Sequence, residues 1–417
     1  MSFQALRRLI LRLTVMVGGE AMQSAFHLAL NIVLLHSASA RDYGIFALAM
    51  VAGGIGLTYI RAFTALPASI CIAGSHRVAA ANAYEVSFGT AAAMLSALFG
   101  LVVAIVLSGW IDEGAVSGGT FVALWALRAH IRMVFFARNR QILVSASDLL
   151  FTLSGAAGTA WVVWDDTHIL QHTFLVMTVA NALGIAAMLV LGRRPIRFGA
   201  GAHLWRRYKR LWRDLKWSLL SVTITNLQGQ GMALLVAAIA GPAAYAPIAA
   251  ALLNFVPLRI VATAFANMMH PEMTALMAQN QFAKVGRLLR HWPPLLVVLN
   301  LLYGLAVMIA LPFIRPDSLG DTSFFNVSLM AWVAGGLSVL YVMPRVWLEI
   351  AQDYRSIAIL SAIAAVLGML MVLVLLLTVP PSWALLGAAF SEVIVLIGSW
   401  AIVWPRQRAA ERRAAAG

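Results

Sequence analysis

Four arginines of this 417-residue chain stand inside stretches that are otherwise apolar: Arg61 in GIGLTYIRAFTALPASI, Arg128 and Arg132 in GTFVALWALRAHIRMVFFARNR, and Arg259 in ALLNFVPLRIVATAF. A guanidinium is a planar fork of donors that grips carboxylate or phosphate oxygens two at a time, so the chemistry on offer is anion binding. Glu20, in the first apolar stretch, and Glu392, in the middle of the last, are placed in the same way. A carboxylate in such surroundings either holds a coupling proton or sodium ion or neutralises one of the arginines. Ser24, His27 and Asn31 share the face of Glu20 at helical spacing, and Thr223, Asn226 and Gln230 form a second such stripe. Stripes of this kind serve as glue between helices, at about 0.6 to 2 kcal/mol per hydrogen bond, or as the lining of a cavity.

Composition sets the elements that must position these residues. The chain is 62% hydrophobic and 11% charged with a mean hydropathy of +0.86, whereas about a quarter of the residues of a soluble domain are charged. Apolar stretches of roughly 20 residues, enough to cross about 30 Å of hydrocarbon, recur along the whole chain. About twelve spans are legible, at roughly 14–36, 44–68, 84–109, 119–138, 143–164, 172–192, 217–240, 244–266, 293–314, 324–344, 356–378 and 383–404. Backbone groups in lipid must bond internally, which leaves helices or a closed barrel. Runs such as LMVLVLLL at 370–377 lack the period-2 alternation of barrel strands, so the expected class is an all-α integral membrane protein.

The basic residues test this division independently. Cytoplasmic loops collect Lys and Arg, and here all of them except the four above, Arg41 and Arg315 fall at the N-terminus, in the C-terminal tail or in every second loop, beginning with His76-Arg77. The opposite side carries Asp42, Asp112, Glu113, Asp165, Asp166, Asp317 and Asp321. Both termini are therefore expected in the cytoplasm, and the net charge of +14 reads as positive-inside bias rather than as a nucleic-acid surface. The start FQALRRLILRL, with Arg7, Arg8 and Arg12, suits a helix lying along inner headgroups and lacks the small-residue cleavage site of a secretory signal. Asp148, Glu349 and Asp353 lie near basic cytoplasmic ends and are expected to pair locally there. The single Cys71 excludes an internal disulfide and a cysteine metal cluster, and no metal site or cofactor is expected.

The longest polar stretch, RRPIRFGAGAHLWRRYKRLWRDLKW from Arg193 to Trp217, holds nine Lys or Arg against one Asp and divides six spans from six. Its Trp205, Tyr208, Trp212 and Trp217 suit an amphipathic helix on an anionic leaflet, so membrane lipid is an expected partner and nucleic acid is not. The expected organisation is an N-terminal lobe at 1–192, a basic linker at 193–216, a C-terminal lobe at 217–404 and a basic tail at 405–417. The halves compare with each other: LNIVLLHSASARDYGIFALA from Leu30 matches LLVAAIAGPAAYAPIAAALL from Leu234, each placing a Tyr (Tyr43, Tyr245) after a short loop. A proline follows in each, Pro67 or Pro271, and then a basic turn at His76-Arg77 or at Lys284, Arg287 and Arg290. Both run in the same direction through the membrane, the mark of a parallel repeat.

With SASARDYGIFALA after the first span, and the run LLVAAIAGPAAYAPIAAALLNFVPLRIVATAFANMMHPEMTALMA followed by QFAKVGRLLRH in the second half, the sequence resembles the multidrug, oligosaccharidyl-lipid and polysaccharide flippase superfamily. Within it, the resemblance is to the polysaccharide transporter branch that contains the O-antigen flippases. It departs from that pattern where Gln230 and Gly231 stand at a position many relatives give to an acid, and where Ala246 replaces a glycine after Tyr245. The resemblance implies two six-helix lobes around a central cavity that opens alternately to the two sides of a bacterial inner membrane. It implies as substrate a polyprenyl-pyrophosphate-linked oligosaccharide, moved from the inner to the outer leaflet for O-antigen, capsule or exopolysaccharide, with a polysaccharide polymerase and export machinery as partners.

On that reading Arg128, near the midplane, lines the cavity and binds the pyrophosphate, and Arg132, one turn deeper, either does so with it or snorkels inward. Arg61 and Arg259, at near-equivalent positions of the second and eighth spans, either guard the cytoplasmic entrance or snorkel to inner headgroups. Glu20 and Glu392 either couple transport to an ion or pair with the arginines. No GxxxxGK[ST] loop or HExxH pair is present, so neither ATP hydrolysis nor zinc hydrolase chemistry is expected. Two rivals stand beside the flippase: a proton- or sodium-coupled cation antiporter of the same superfamily, and a membrane polymerase or ligase, an enzyme for which the external loops here are too short.

Overall fold

The computed structural model describes residues 3–75, 77–165, 167–193, 199, 202–314 and 321–416. It is built of helices: α1 (Phe3–Ser37), α2 (Ala40–Ile60), a π-helical turn (Arg61–Ala65), α3 (Leu66–Ala73), α4 (Val78–Ser108), α5 (Ala115–Ala137), α6 (Gln141–Trp164), α7 (Ile169–Leu191), α8 (Ala202–Ala240), α9 (Pro242–Asn254), α10 (Val256–Ala278), α11 (Phe282–Ile314), α12 (Asp321–Leu340), α13 (Val342–Ile350), α14 (Tyr354–Thr378) and α15 (Ala384–Ala416). Among the described residues ten helices, counted through their small breaks, are long and apolar enough to cross a membrane. The α9–α10 pair, bent by 48°, counts as an eleventh if it is taken as one span; the span expected at 14–36 falls within α1, which is not among these. The chain is a multi-pass membrane protein.

Local chemistry places the breaks. Ser39 caps α2 by accepting from the Asp42 amide at 3.1 Å, and its hydroxyl donates to the Asp42 carboxylate at 2.7 Å. Asn139 and Asn280 take the left-handed conformation in the tight turns between α5 and α6 and between α10 and α11, a geometry asparagine tolerates. Gly241 enters α9 at φ +84°, just ahead of Pro242 at the helix start.

The chain divides into two compact units, Met1–Val222 and Thr223–Gly417. In the first, a Cβ on Gly100 would meet the Gly119 carbonyl oxygen at 2.6 Å, and one on Gly119 would meet that of Gly100 at 2.4 Å. Only glycine at both places lets α4 and α5 approach that closely, as small residues do at membrane helix interfaces. Phe26 and Phe151 pack edge to face, with ring centroids 5.4 Å apart, between α1 and α6.

The boundary falls inside α8, which differs from a linker set apart from the lobes. One uninterrupted helix carries the basic segment straight into the seventh span. Leu204, Tyr208, Leu211 and Leu215 recur along one face of that segment, and they pack on Phe63, Ala68, Phe88 and Val134 of the first unit. Tyr208 therefore leaves the set of lipid-facing aromatics: it is buried, whereas Trp205, Trp212 and Trp217 are exposed. The tail at 405–417 is likewise no loose appendage in its described part. It extends α15, and Gln407, 1% exposed, accepts from the Trp347 indole at 2.9 Å and donates to the Phe282 carbonyl at 2.6 Å. Side chains of Arg7, Arg8, Arg12, Glu20 and Asp321 lie outside the described set, as do residues His76, Asp166, Arg315 and Asp317.

Asp353 does pair locally, as its position among basic residues leads one to expect. It caps α14 by accepting from the Ser356 amide at 3.1 Å and is bridged by Arg406 of α15. These two bonds, Ser356 first, hold its carboxyl at about 2, below the ordinary 3.8. A depressed folded-state value means that the contribution is complete above 3.8 and is lost as the pH falls through about 2. Asp353→Ala is expected to cost about 1 kcal/mol through the lost cap. The gap between wild-type and variant unfolding midpoints should close on acidification from pH 5 towards pH 2, and a gap indifferent to pH would refute the assignment.

Candidate functional site

In the first unit, the α5–α6 hairpin brings Arg128, Arg132 and Asp148 together. A guanidinium nitrogen of Arg128 donates to one Asp148 oxygen at 2.7 Å, and Arg132 donates to the other at 3.0 Å. The Arg128 guanidinium also lies 4.0 Å from the centroid of the Phe151 ring, and its second terminal nitrogen is 3.4 Å from the Gln23 side-chain oxygen on α1. Glycines admit these groups. A Cβ on Gly184 would come within 2.7 Å of the Arg128 Nε, and one on Gly19 within 2.8 Å of Asp148.

Two sequence expectations are corrected here. Arg128 does not face an open cavity in this structure: it is 1% exposed, and the ion pair with Asp148 offsets its desolvation. Asp148 is no partner at a basic cytoplasmic end but is itself 1% exposed and holds both intraspan arginines. Its distances in sequence, 20 residues from Arg128 and 16 from Arg132, carried the signal. Their midpoints fall in the Arg138–Arg140 turn, so an antiparallel hairpin sets Asp148 at the depth of both. Gln23 is the other residue the sequence reading missed, one position from the polar stripe on the adjacent face. Both guanidiniums donate to the one Asp148 carboxylate, so Asp148 ties the two intraspan arginines of α5 to α6. Arg132, with its side chain 13% exposed, is the more accessible of the two arginines.

The polar stripes separate in their roles. His27 packs among Phe26, Trp125 and Phe151, and Asn31 donates to the His27 carbonyl of its own helix at 2.8 Å, while Ser24 is exposed. On α8, Thr223 is exposed and Asn226 and Gln230 are half-buried in the second unit. Asn31 is thus satisfied within α1 rather than across an interface.

Arg61 and Arg259 share a local setting that the sequence only partly revealed. Arg61 opens the π-helical turn of the second span, where the Leu66 amide bonds the Arg61 carbonyl five residues back. Arg259 lies just past the bend of the eighth span, whose second half begins Val256-Pro257. Both are exposed, and neither takes part in an ion pair among the described residues. Breaks of this kind free backbone groups from regular pairing and are frequent at functional positions in membrane helices.

The second unit holds a polar cleft lined by Gln228, Tyr341, Arg345, Ser361, Val395 and Ser399. Glu392 lies one turn from Val395 on α15. Tyr341 packs with Val395 in the wall of the same cleft. The alternative of direct pairing with an intraspan arginine is not what the described residues show, because Glu392 forms no ion pair among them and its Oε2 is buried without a partner. Arg345 pairs instead with Glu349 at 3.1 Å.

No family model matches the sequence, and no curated protein matches it. Solved structures do. An inward-facing multidrug resistance MATE family transporter of the MOP superfamily superposes with a TM-score of 0.69 at 10% identity over 94% of this chain and 96% of that one. The lipid II flippase MurJ in an inward closed conformation gives 0.70 at 9% identity over 94% of this chain and 87% of that one. The Vibrio cholerae MATE transporter VcmN in its bent form gives 0.55 at 14% identity over 98% and 97%.

Proposed function

We propose a transport function for this chain, whose fold is shared with a multidrug resistance MATE family transporter of the MOP superfamily and with the lipid II flippase MurJ. We propose that it is a flippase of the bacterial inner membrane, both termini in the cytoplasm, carrying a polyprenyl-pyrophosphate-linked oligosaccharide from the inner to the outer leaflet by alternating access between its two lobes. The observation that carries this reading is the sign of the intraspan charge. Arg61 and Arg259 are exposed at the breaks of the second and eighth spans and take part in no ion pair among the described residues. Unpaired cations at that depth are costly unless an anion or water meets them, and a pyrophosphate offers oxygens that guanidinium forks match. Arg61 and Arg259 are the proposed contacts, with Arg132, partly exposed on α5, as a further candidate. An anion leaving an inside-negative cell gains about 2.3 kcal/mol per charge per 100 mV, so the membrane potential is a sufficient driving force.

The test is mass spectrometry of polyprenyl-linked lipids in cells with and without the protein, read beside surface polysaccharide. Accumulated lipid-linked oligosaccharide and lost surface polymer are expected, while an unchanged lipid pool with intact polymer would reject the proposal. Glu392 favours one second reading, a proton- or sodium-coupled cation antiporter, since a carboxyl oxygen buried without a hydrogen-bond partner is a ligand a coupling ion can use. Under that reading Glu392→Gln abolishes drug resistance, and the lipid pool does not respond to the protein.

A further inference from the structure

Pro67 has no N–H to offer the Phe63 carbonyl, four residues earlier and inside the π-helical turn. That carbonyl accepts from the Tyr208 hydroxyl of α8 at 3.1 Å. The Tyr208 ring is stacked on Phe63, with centroids 4.7 Å apart and planes at 16°, and meets the edge of Phe88 at 5.6 Å. Next to it, Arg207 lies over the Tyr84 ring and donates to the Ala83 carbonyl and the Ser87 hydroxyl, so two adjacent residues of α8 clamp it to α4 and to the irregular turn. On the other side of that turn, Thr64 meets the ring of His130 at 3.0 Å.

The face of α8 turned away from this clamp has a different chemistry. Trp205, Trp212 and Trp217 are 76%, 52% and 64% exposed, and Arg206, Lys209 and Arg210 are exposed among them. Trp205 and Trp212 lie two turns apart on one flank with Lys209 between them. Phe63, Ala68, Phe88 and Val134, on which the opposite face packs, all belong to membrane spans. The basic segment therefore lies alongside the ends of those spans, not beyond them in solution. Indole rings and cations together at that depth fit the headgroup layer, and the charge selects anionic lipid.

We infer that the 204–217 segment of α8 is a binding surface for anionic lipid headgroups, and that through Tyr208 it holds the π-helical turn that begins at Arg61. Headgroups on Arg206, Lys209 and Arg210 restrain the helix, and the restrained helix keeps the Tyr208 hydroxyl on the Phe63 carbonyl. Lipid charge outside the protein and backbone order inside the second span are thereby linked. The inference does not depend on what the protein carries.

The experiment is amide hydrogen exchange over Arg61–Leu66 of the full chain in nanodiscs of phosphatidylcholine alone or with one third phosphatidylglycerol. Exchange is expected to be slower with phosphatidylglycerol by roughly threefold to tenfold, the ratio that one net hydrogen bond sets. The Arg206→Gln, Lys209→Gln, Arg210→Gln triple variant should lose the lipid dependence. So should wild type in about 0.5 M salt, where screening shortens to a few ångströms, which keeps the test available if the triple variant does not fold. Tyr208→Phe retains the ring stack and should exchange at the fast rate in both lipids, with α6 and α7 unchanged. Equal wild-type exchange in the two lipids would overturn the headgroup role, and a Tyr208→Phe rate equal to wild type in both would overturn the latch.

Discussion

Replacing Asp148 with asparagine is expected to destabilise the first unit by about 3 to 5 kcal/mol, because it removes the buried carboxylate to which Arg128 and Arg132 both donate. Arg128 has no route to solvent at 1% exposure. Arg132→Gln should be far milder, since Arg132 is partly exposed and Asp148 keeps its 2.7 Å bond to Arg128. Adding Arg128→Gln to Asp148→Asn should recover part of the loss, as removing both halves of a buried pair costs less than removing one. Unfolding midpoints in detergent measure all three variants. An Asp148→Asn protein as stable as wild type would show that the cluster is hydrated rather than enclosed.

Arg61→Gln and Arg259→Gln should do the reverse, sparing stability and removing transport. Both side chains are exposed, so neither variant leaves a buried partner behind. If each guanidinium holds pyrophosphate oxygens, its loss removes a charge-assisted bond of about 1.5 to 3 kcal/mol, or roughly tenfold to more than a hundredfold in transport. Lysine should restore only part of it, because an ammonium keeps the charge but not the fork. Flipping of lipid-linked oligosaccharide in reconstituted vesicles, read beside unfolding midpoints, checks the pair. Full transport by both glutamine variants would remove these residues from the proposed path.

These two predictions separate what arginines of the same type do at similar depth, and sequence alone did not separate them. All four were visible as charges out of place, and the same property drew the spans: about 20 apolar residues must cross the hydrocarbon, and every span has to satisfy its own backbone. Bilayer thickness acts on the chain one segment at a time, so the helical class and most of the spans were legible before any packing was known, whereas the turn expected at Lys284, Arg287 and Arg290 lies inside α11, which begins at Phe282. The basic bias of alternate loops was legible for the same reason.

Which side of each helix faces which neighbour was not. A rotation of about 100° per residue means that one position moves a side chain from interior to surface. Asp148 read as a local partner because Arg138 and Arg140 stand near it in sequence, yet the folded hairpin turns it towards Arg128 and Arg132. Tyr208 read as one more interfacial aromatic among three tryptophans, yet the helix turns it inward to a carbonyl that Pro67 cannot serve. The sequence by itself determined where this chain crosses the membrane and that cations stand inside it. Only the tertiary structure decided which of those cations is neutralised, because helix rotation and pairing are set by packing between segments distant in sequence, while membrane crossing is set within each segment alone.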